Sequence, residues 1–357
     1  MGTDKVEKEK LKNRKLLFNM EIPSVKISVG ATLVLILIAL FFLSFLLGRY
    51  PISPLMVGKV FISRIVPISH TWPSTVETVI FLIRLPRIVA AMLVGAGLSV
   101  SGASFQGTFK NPLVSPYILG VSAGAGFGAA LAILLSESLL TIQVSAFVFG
   151  ILAALLSLIV GKAHKSTSTL TLVLGGIIVG ALFSALLSLI KYVADPYDKL
   201  PAIVFWLMGS LASVSNKDLF VVAPTIVSGA FVLLLIRWRI NILSMGDEEA
   251  QALGVNPKKL RTIIIICATL ITAASVCISG IIGWVGLVIP HIARMLVGPD
   301  YKKLLPVSGL IGAAYLLLID DLTRTLTVAE IPLGIITAIV GAPIFAYILR
   351  KRKTGWI

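Results

Sequence analysis

Charge is scarce in this 357-residue chain: only 13% of its residues are Asp, Glu, Lys or Arg. That is roughly half the share of an ordinary soluble domain, which carries about 25%. With 57% hydrophobic residues and a mean hydropathy of +1.01, too little polar surface exists to cover a soluble particle of this size. Cysteine is scarcer still. Cys267 and Cys277 lie inside one apolar run and lack metal-site spacing, which leaves thiol filler in a helix as their role. The three histidines, His70, His164 and His291, pair with no other His, Cys or carboxylate at ligand spacing. A HExxH motif, a serine–base arrangement and a phosphate loop are all missing, and the glycine-rich stretches lack the Lys and Ser/Thr of a nucleotide site. The expectation is therefore no metal, no cofactor and no enzymatic activity.

What is present is apolar sequence in runs of about twenty residues, the length that crosses a bilayer as one helix. Spans are predicted at 28–48, 85–107, 113–135, 142–161, 170–190, 219–237, 262–281, 286–297, 304–319 and 333–349, ten in all. The segment 286–297 is too short to cross alone, so it must tilt, re-enter or borrow its flanks. Two polar, proline-containing segments interrupt the pattern: 49–84, expected as a loop with short amphipathic pieces, and 191–217, with Asp195, Pro196, Asp198 and Pro201. The apolar run after the basic N-terminus is too long for a cleavable signal peptide and reads as a retained first span. Gly95 and Gly102, seven apart, are expected to let helices approach closely, the usual packing device in membranes. Basic residues define an orientation. Segments 1–27, 108–112, 162–169, 237–261, 294–303 and 350–357 hold 22 of the 31 Lys and Arg residues, so by the positive-inside rule these face the cytoplasm, with both termini. The net charge of +15 is thereby explained without nucleic acid. The chain divides into a basic cytoplasmic segment at 1–27, a transmembrane domain at 28–350 and a cytoplasmic tail at 351–357.

Ionisable residues are nearly absent from the middle of the spans. A proton-coupled transporter would show buried acidic relays; their lack weighs against a secondary transporter or channel and points to energy supplied by a partner outside the bilayer. The loop at about 240–258 could receive it. Asp247, Glu248 and Glu249 suit the first turn of a short helix, Gly254 ends it and Pro257 blocks its continuation. Ala250, Leu253 and Val255 offer a small apolar docking surface. An ordinary charged loop capping two spans fits the same residues. On the other side, Arg84 and Arg87 flank Pro86, and Arg324 follows Asp320 and Asp321. These arginines could receive carboxylates of a docked soluble protein or anchor to lipid headgroups.

Ordered motifs then resemble one family. They are Leu82-Ile83-Arg84-Leu85-Pro86-Arg87, Ser101-Gly102 through Gln106, Asn111-Pro112-Leu113-Val114-Ser115-Pro116, Leu119 to Gly124, Phe205 to Ser210, Gly283 to Arg294, Glu330 to Gly334 and Gly341 to Phe345. Together they resemble the FecCD family of ABC importer permeases, over roughly residues 30–350. The resemblance implies an all-α, polytopic type II importer fold with ten helices per subunit. It also implies a homodimer in the cell membrane with the translocation path at its two-fold axis, two ATP-hydrolysing partner subunits and an extracytoplasmic binding protein. The stretch Asp247–Gly254 resembles the family's coupling helix, which contacts the ATPase. Arg84, Arg87 and Arg324 resemble arginines that meet binding-protein glutamates, Arg84 and Arg324 foremost. An iron chelate of the iron-siderophore kind is the cargo expected first, with cobalamin, haem and molybdate open.

Overall fold

The computed structural model describes residues 28–351 except 68, 70, 71, 137 and 162–168. The basic segment 1–27, the tail beyond Lys351, Glu137, His70 and His164 thus lie outside the described residues. Among the described residues there is no β-strand, and the chain is a bundle of helices. Among the described residues seven helices are long and apolar enough to cross a membrane. They are α3 (Ser74–Thr108), α5 (Leu139–Gly161), α6 (Thr169–Val193), α8 (Asn216–Leu235), α11 (Pro257–Ser279), α13 (Tyr301–Leu326) and α14 (Leu333–Lys351). Shorter apolar helices are α1 (Val29–Ser44), α4 (Val121–Leu135), α7 (Lys199–Met208) and α12 (Val285–Val297). Three more, α2 (Pro54–Ile62), α9 (Arg237–Met245) and α10 (Asp247–Ala252), complete the order.

Local chemistry starts these helices where the chain needs them. Ser28 and Ser53 accept hydrogen bonds from amides in the first turns of α1 and α2, satisfying donors that have no partner within the helix. Ser215 and Asp218 form a reciprocal capping box at α8. Asn256 caps α11, with Pro257 in the first position, where a missing N–H costs nothing. Asp300 caps α13; the Lys302 amide and the Asn241 side chain donate to it and hold its carboxyl below the usual carboxylate range. Gly120, with φ of 76°, turns the chain left-handed into α4, so the span expected from 113 begins as a helix only at Val121. In α3 the run Thr78–Arg84 is π-helical, and the wider turn there precedes Pro86, whose ring and missing N–H disturb the ordinary ladder.

Helices α3, α11 and α13 form the centre. Buried residues line most of α11 and α13, whereas α6, α8 and α14 expose most of their apolar surface from the single chain. Such outer faces are stable only against lipid or another protein. The central contacts depend on two glycines of α3. A Cβ on Gly95 would lie 2.2 Å from the Gly312 carbonyl oxygen of α13, and one on Gly102 would lie 1.8 Å from that of Gly286 in α12. Both are impossible distances, so the seven-residue glycine spacing marks two backbone-to-backbone crossings. Helix α12, with 13 residues, rises only about 20 Å, short of the roughly 30 Å hydrocarbon layer. Its His291 is buried and shares a hydrogen bond of 2.8 Å with the Pro112 carbonyl, a polar contact between segments.

Several boundaries move relative to the sequence expectation. Segment 191–217 contains α7, and the helix expected over 304–319 runs through Leu326. The last change matters most, because it places Asp320, Asp321 and Arg324 inside a helix and buries them.

Candidate functional site

Two polar constructions lie at opposite ends of the bundle. The first is built on α9 and α10, between the transmembrane helices α8 and α11. Gly246 separates α9 from α10, and Asp247, Glu248 and Glu249 occupy the first turn of α10, where the helix dipole favours them. Asp247 accepts a 2.8 Å hydrogen bond from Arg261 of α11. Gly254, at φ of 76°, reverses the chain, and the Val255 amide donates to the Ala250 carbonyl at 2.8 Å. The Lys110 ammonium donates to the Met245 carbonyl, at 3.4 Å, and Asn241 joins α9 to the start of α13 through Asp300, at 2.6 Å. The first turn of α10 is thus tied to α11, and the preceding helix α9 is tied to the start of α13. Ala250, expected on the docking surface, faces inward and is fully buried, while Val255 is half-buried. The apolar groups that face outward are Leu253, 58% exposed, and Met245, 64% exposed. Met245 was not anticipated; only its place before a helix-breaking glycine could have suggested it.

At the other end Arg84, Arg87 and Arg324 come together, but not as free rim charges. All three are nearly buried, with Arg84 at 4%, Arg87 at 7% and Arg324 at 5% exposure. Arg84 donates to the carbonyls of Phe45 and Tyr50. Arg87 donates from Nε to both carboxylate oxygens of Asp320, at 3.0 and 2.9 Å, and from Nη1 to Glu330 at 3.0 Å. Arg324 pairs with Asp321 and donates to the Ser44 carbonyl at 2.7 Å. The Ser44 hydroxyl donates to the other Asp321 oxygen at 2.6 Å. Three guanidinium groups and three carboxylates therefore fasten α1, α3, α13 and the loop before α14 into one neutral network. Paired charges can be buried where lone ones cannot. Two adjacent acids at the predicted end of a span were the available signal for the network. Reading them as lying beyond the span concealed their inward direction. Among these acids, Glu330 alone stays partly open, with its side chain 26% exposed.

Among the described residues no group of three or more His, Cys, Asp or Glu could hold a metal. A multi-pass bundle of apolar helices, with polar constructions at both ends, has the build of a membrane transport protein. The chain belongs to the FecCD transport family, whose model matches residues 36–351. It is 44% identical over 331 residues to the molybdate import system permease protein MolB of Haemophilus influenzae, covering 92% of this chain and 97% of that protein. A permease assigned to an iron chelatin transport system of Helicobacter pylori is 45% identical over 280 residues, 78% of this chain and 85% of the other. Among solved structures, an inward-facing ABC transporter assigned to the metal-chelate type matches with TM-score 0.81 and 42% identity, over 91% of this chain and 99% of that one. The chain is accordingly a permease subunit of an ABC importer, a transport component with no ATPase activity of its own.

Proposed function

We propose that two copies of this chain enclose a path for an iron chelate, with ATP hydrolysed by separate subunits that push on α10. Each copy contributes ten membrane helices: the seven long ones with α1, α4 and α12. Both termini face the cytoplasm, so α10 lies inside and the arginine network outside. The observation that carries the cargo reading is the chemistry of the unpartnered helix faces. Helix α6 has no charged side chain before Lys191, and α14 none before Arg350. Ile177, Ile178 and Ile339 stand more than half exposed on them. If a second copy completes a path along such faces, it presents a large chelate with weak, non-specific contacts and gives a bare oxyanion no cation to meet. The assignment of the Helicobacter relative to an iron chelatin transport system agrees with this reading. Molybdate is the second reading, because MolB matches over nearly its whole length. Proteoliposomes carrying the assembled importer, with its binding protein, should accumulate radioactive iron supplied as a ferric siderophore when ATP is present. Accumulation of molybdate instead, with no iron uptake, would overturn the assignment.

Docking of the binding protein on the outer end follows a different order from the sequence expectation. Arg84 and Arg324 are committed to internal partners, so reversing either charge would leave buried acceptors or acids unmatched and disturb the fold itself. Arg87 shares its guanidinium with the partly exposed Glu330, which makes it the arginine that an incoming carboxylate can reach. Glu330→Gln, which removes the internal competitor, is expected to tighten docking several-fold in nanodiscs. Unchanged or weaker docking would contradict a role for Arg87 in receiving the binding protein.

A further inference from the structure

We propose that a cavity beside α10 holds the phosphate headgroup of an anionic phospholipid. The cavity, of about 270 Å³, lies where α9, the turn after α10 and the first turns of α11 converge. Arg239 and Lys259 line it together with Trp238, Leu253, Asn256 and Ile263. Among the described residues no acidic one lines it; the acids of α10 sit at the opposite end of that helix, and Asp247 is engaged by Arg261. The Arg239 guanidinium lies 5.8 Å from the Trp238 ring centroid, a cation–π arrangement that keeps its charge near the cavity without neutralising it.

The depth of the cavity selects a lipid. Helix α8 is apolar through Leu235, and Arg237, Trp238 and Arg239 follow at once. Helix α11 changes in the same way, from Lys258, Lys259 and Arg261 to an unbroken run of isoleucines at 263–266. Both chains therefore cross from hydrocarbon to water at this level, and Trp238, 45% exposed, has the position that indoles take at a membrane interface. A basic recess between transmembrane helices at that level fits a headgroup phosphate, with Ile263 toward the acyl chains. Because Leu253 and Gly254 form one wall, an occupied site would brace the exposed end of α10 against α11. This places lipid composition among the factors that set the stiffness of the segment on which the ATPase is proposed to push.

The test uses the full-length chain, purified in detergent and in nanodiscs of phosphatidylcholine with one-fifth phosphatidylglycerol. Native mass spectrometry should show phosphatidylglycerol retained on the wild type. In Arg239→Gln/Lys259→Gln its affinity should fall by about tenfold or more, the loss expected for two cations near a headgroup. Equal retention by the wild type and this variant would overturn the proposal. So would an equal loss in Lys302→Gln/Lys303→Gln, which removes two exposed cations elsewhere and should leave retention unchanged. Inorganic phosphate is the third arm. Displacement of the lipid by millimolar phosphate would assign the recess to a soluble phosphate group and overturn the lipid source.

Discussion

Asp320→Ala is expected to lower stability by about 3–5 kcal/mol, the cost of removing one partner from a buried ion pair. Asp320 is fully buried, accepts both hydrogen bonds from Nε of Arg87 and lies 4.0 Å from Arg324. The substitution leaves the two guanidinium groups with Asp321 and Glu330 as their remaining acids, and Glu330 is the more loosely held. Low dielectric makes the unbalanced charge expensive where water cannot reach it. The loss should appear as a large fall in the thermal midpoint of the detergent-solubilised protein, or as failure to accumulate in the membrane. Glu330→Gln serves as the comparison, because its partly exposed carboxylate can be replaced by water. An equal loss for the two variants would show that the network is not organised around the buried acid.

That network was only half legible in the sequence. Arg84, Arg87 and Arg324 stood out as charges beside apolar runs, and their shared end of the bundle was correctly anticipated by span counting. The distant partners of Arg87 and Arg324 were not, because pairing across more than 200 residues depends on which faces of α1, α3 and α13 meet. The glycines gave better guidance: Gly95 and Gly102 lie on one face of α3, and each marks a real crossing. The apolar spans were readable because backbone groups in hydrocarbon must be satisfied within a helix. Their ends were less so. Gly120 delays α4, and the π-helical stretch lets α3 begin at Ser74, eleven residues before its apolar run was expected to begin. Helix α7 was missed because Pro201 and the flanking acids read as loop. In α10 the acidic first turn and Gly254 predicted the helix, yet nothing in the sequence said that Ala250 would face inward and Met245 outward.

The second large effect concerns α10 itself. Leu253 is 58% exposed at its end, and Gly254 has open space around it, so a charged side chain at 253 should leave the bundle intact. Such a residue in the centre of a partner contact nevertheless removes an apolar anchor and adds a desolvation cost. Losing one such anchor is worth about 2 kcal/mol, or more than tenfold in an equilibrium or rate. Energy that reaches the permease through this helix would then no longer be converted into movement of the spans α11 and α13, to which α9 and α10 are tied by Arg261 and Asp300.

The decisive measurement is ATP-driven uptake of the ferric chelate by proteoliposomes free of anionic lipid that hold the assembled importer, made with wild-type chain or with Leu253→Asp and read beside ATP hydrolysis and thermal stability. Uptake reduced by more than about tenfold, at unchanged stability of the permease, is the predicted result. Full uptake per ATP hydrolysed in the variant would contradict α10 as the point where the work of the ATPase enters this protein.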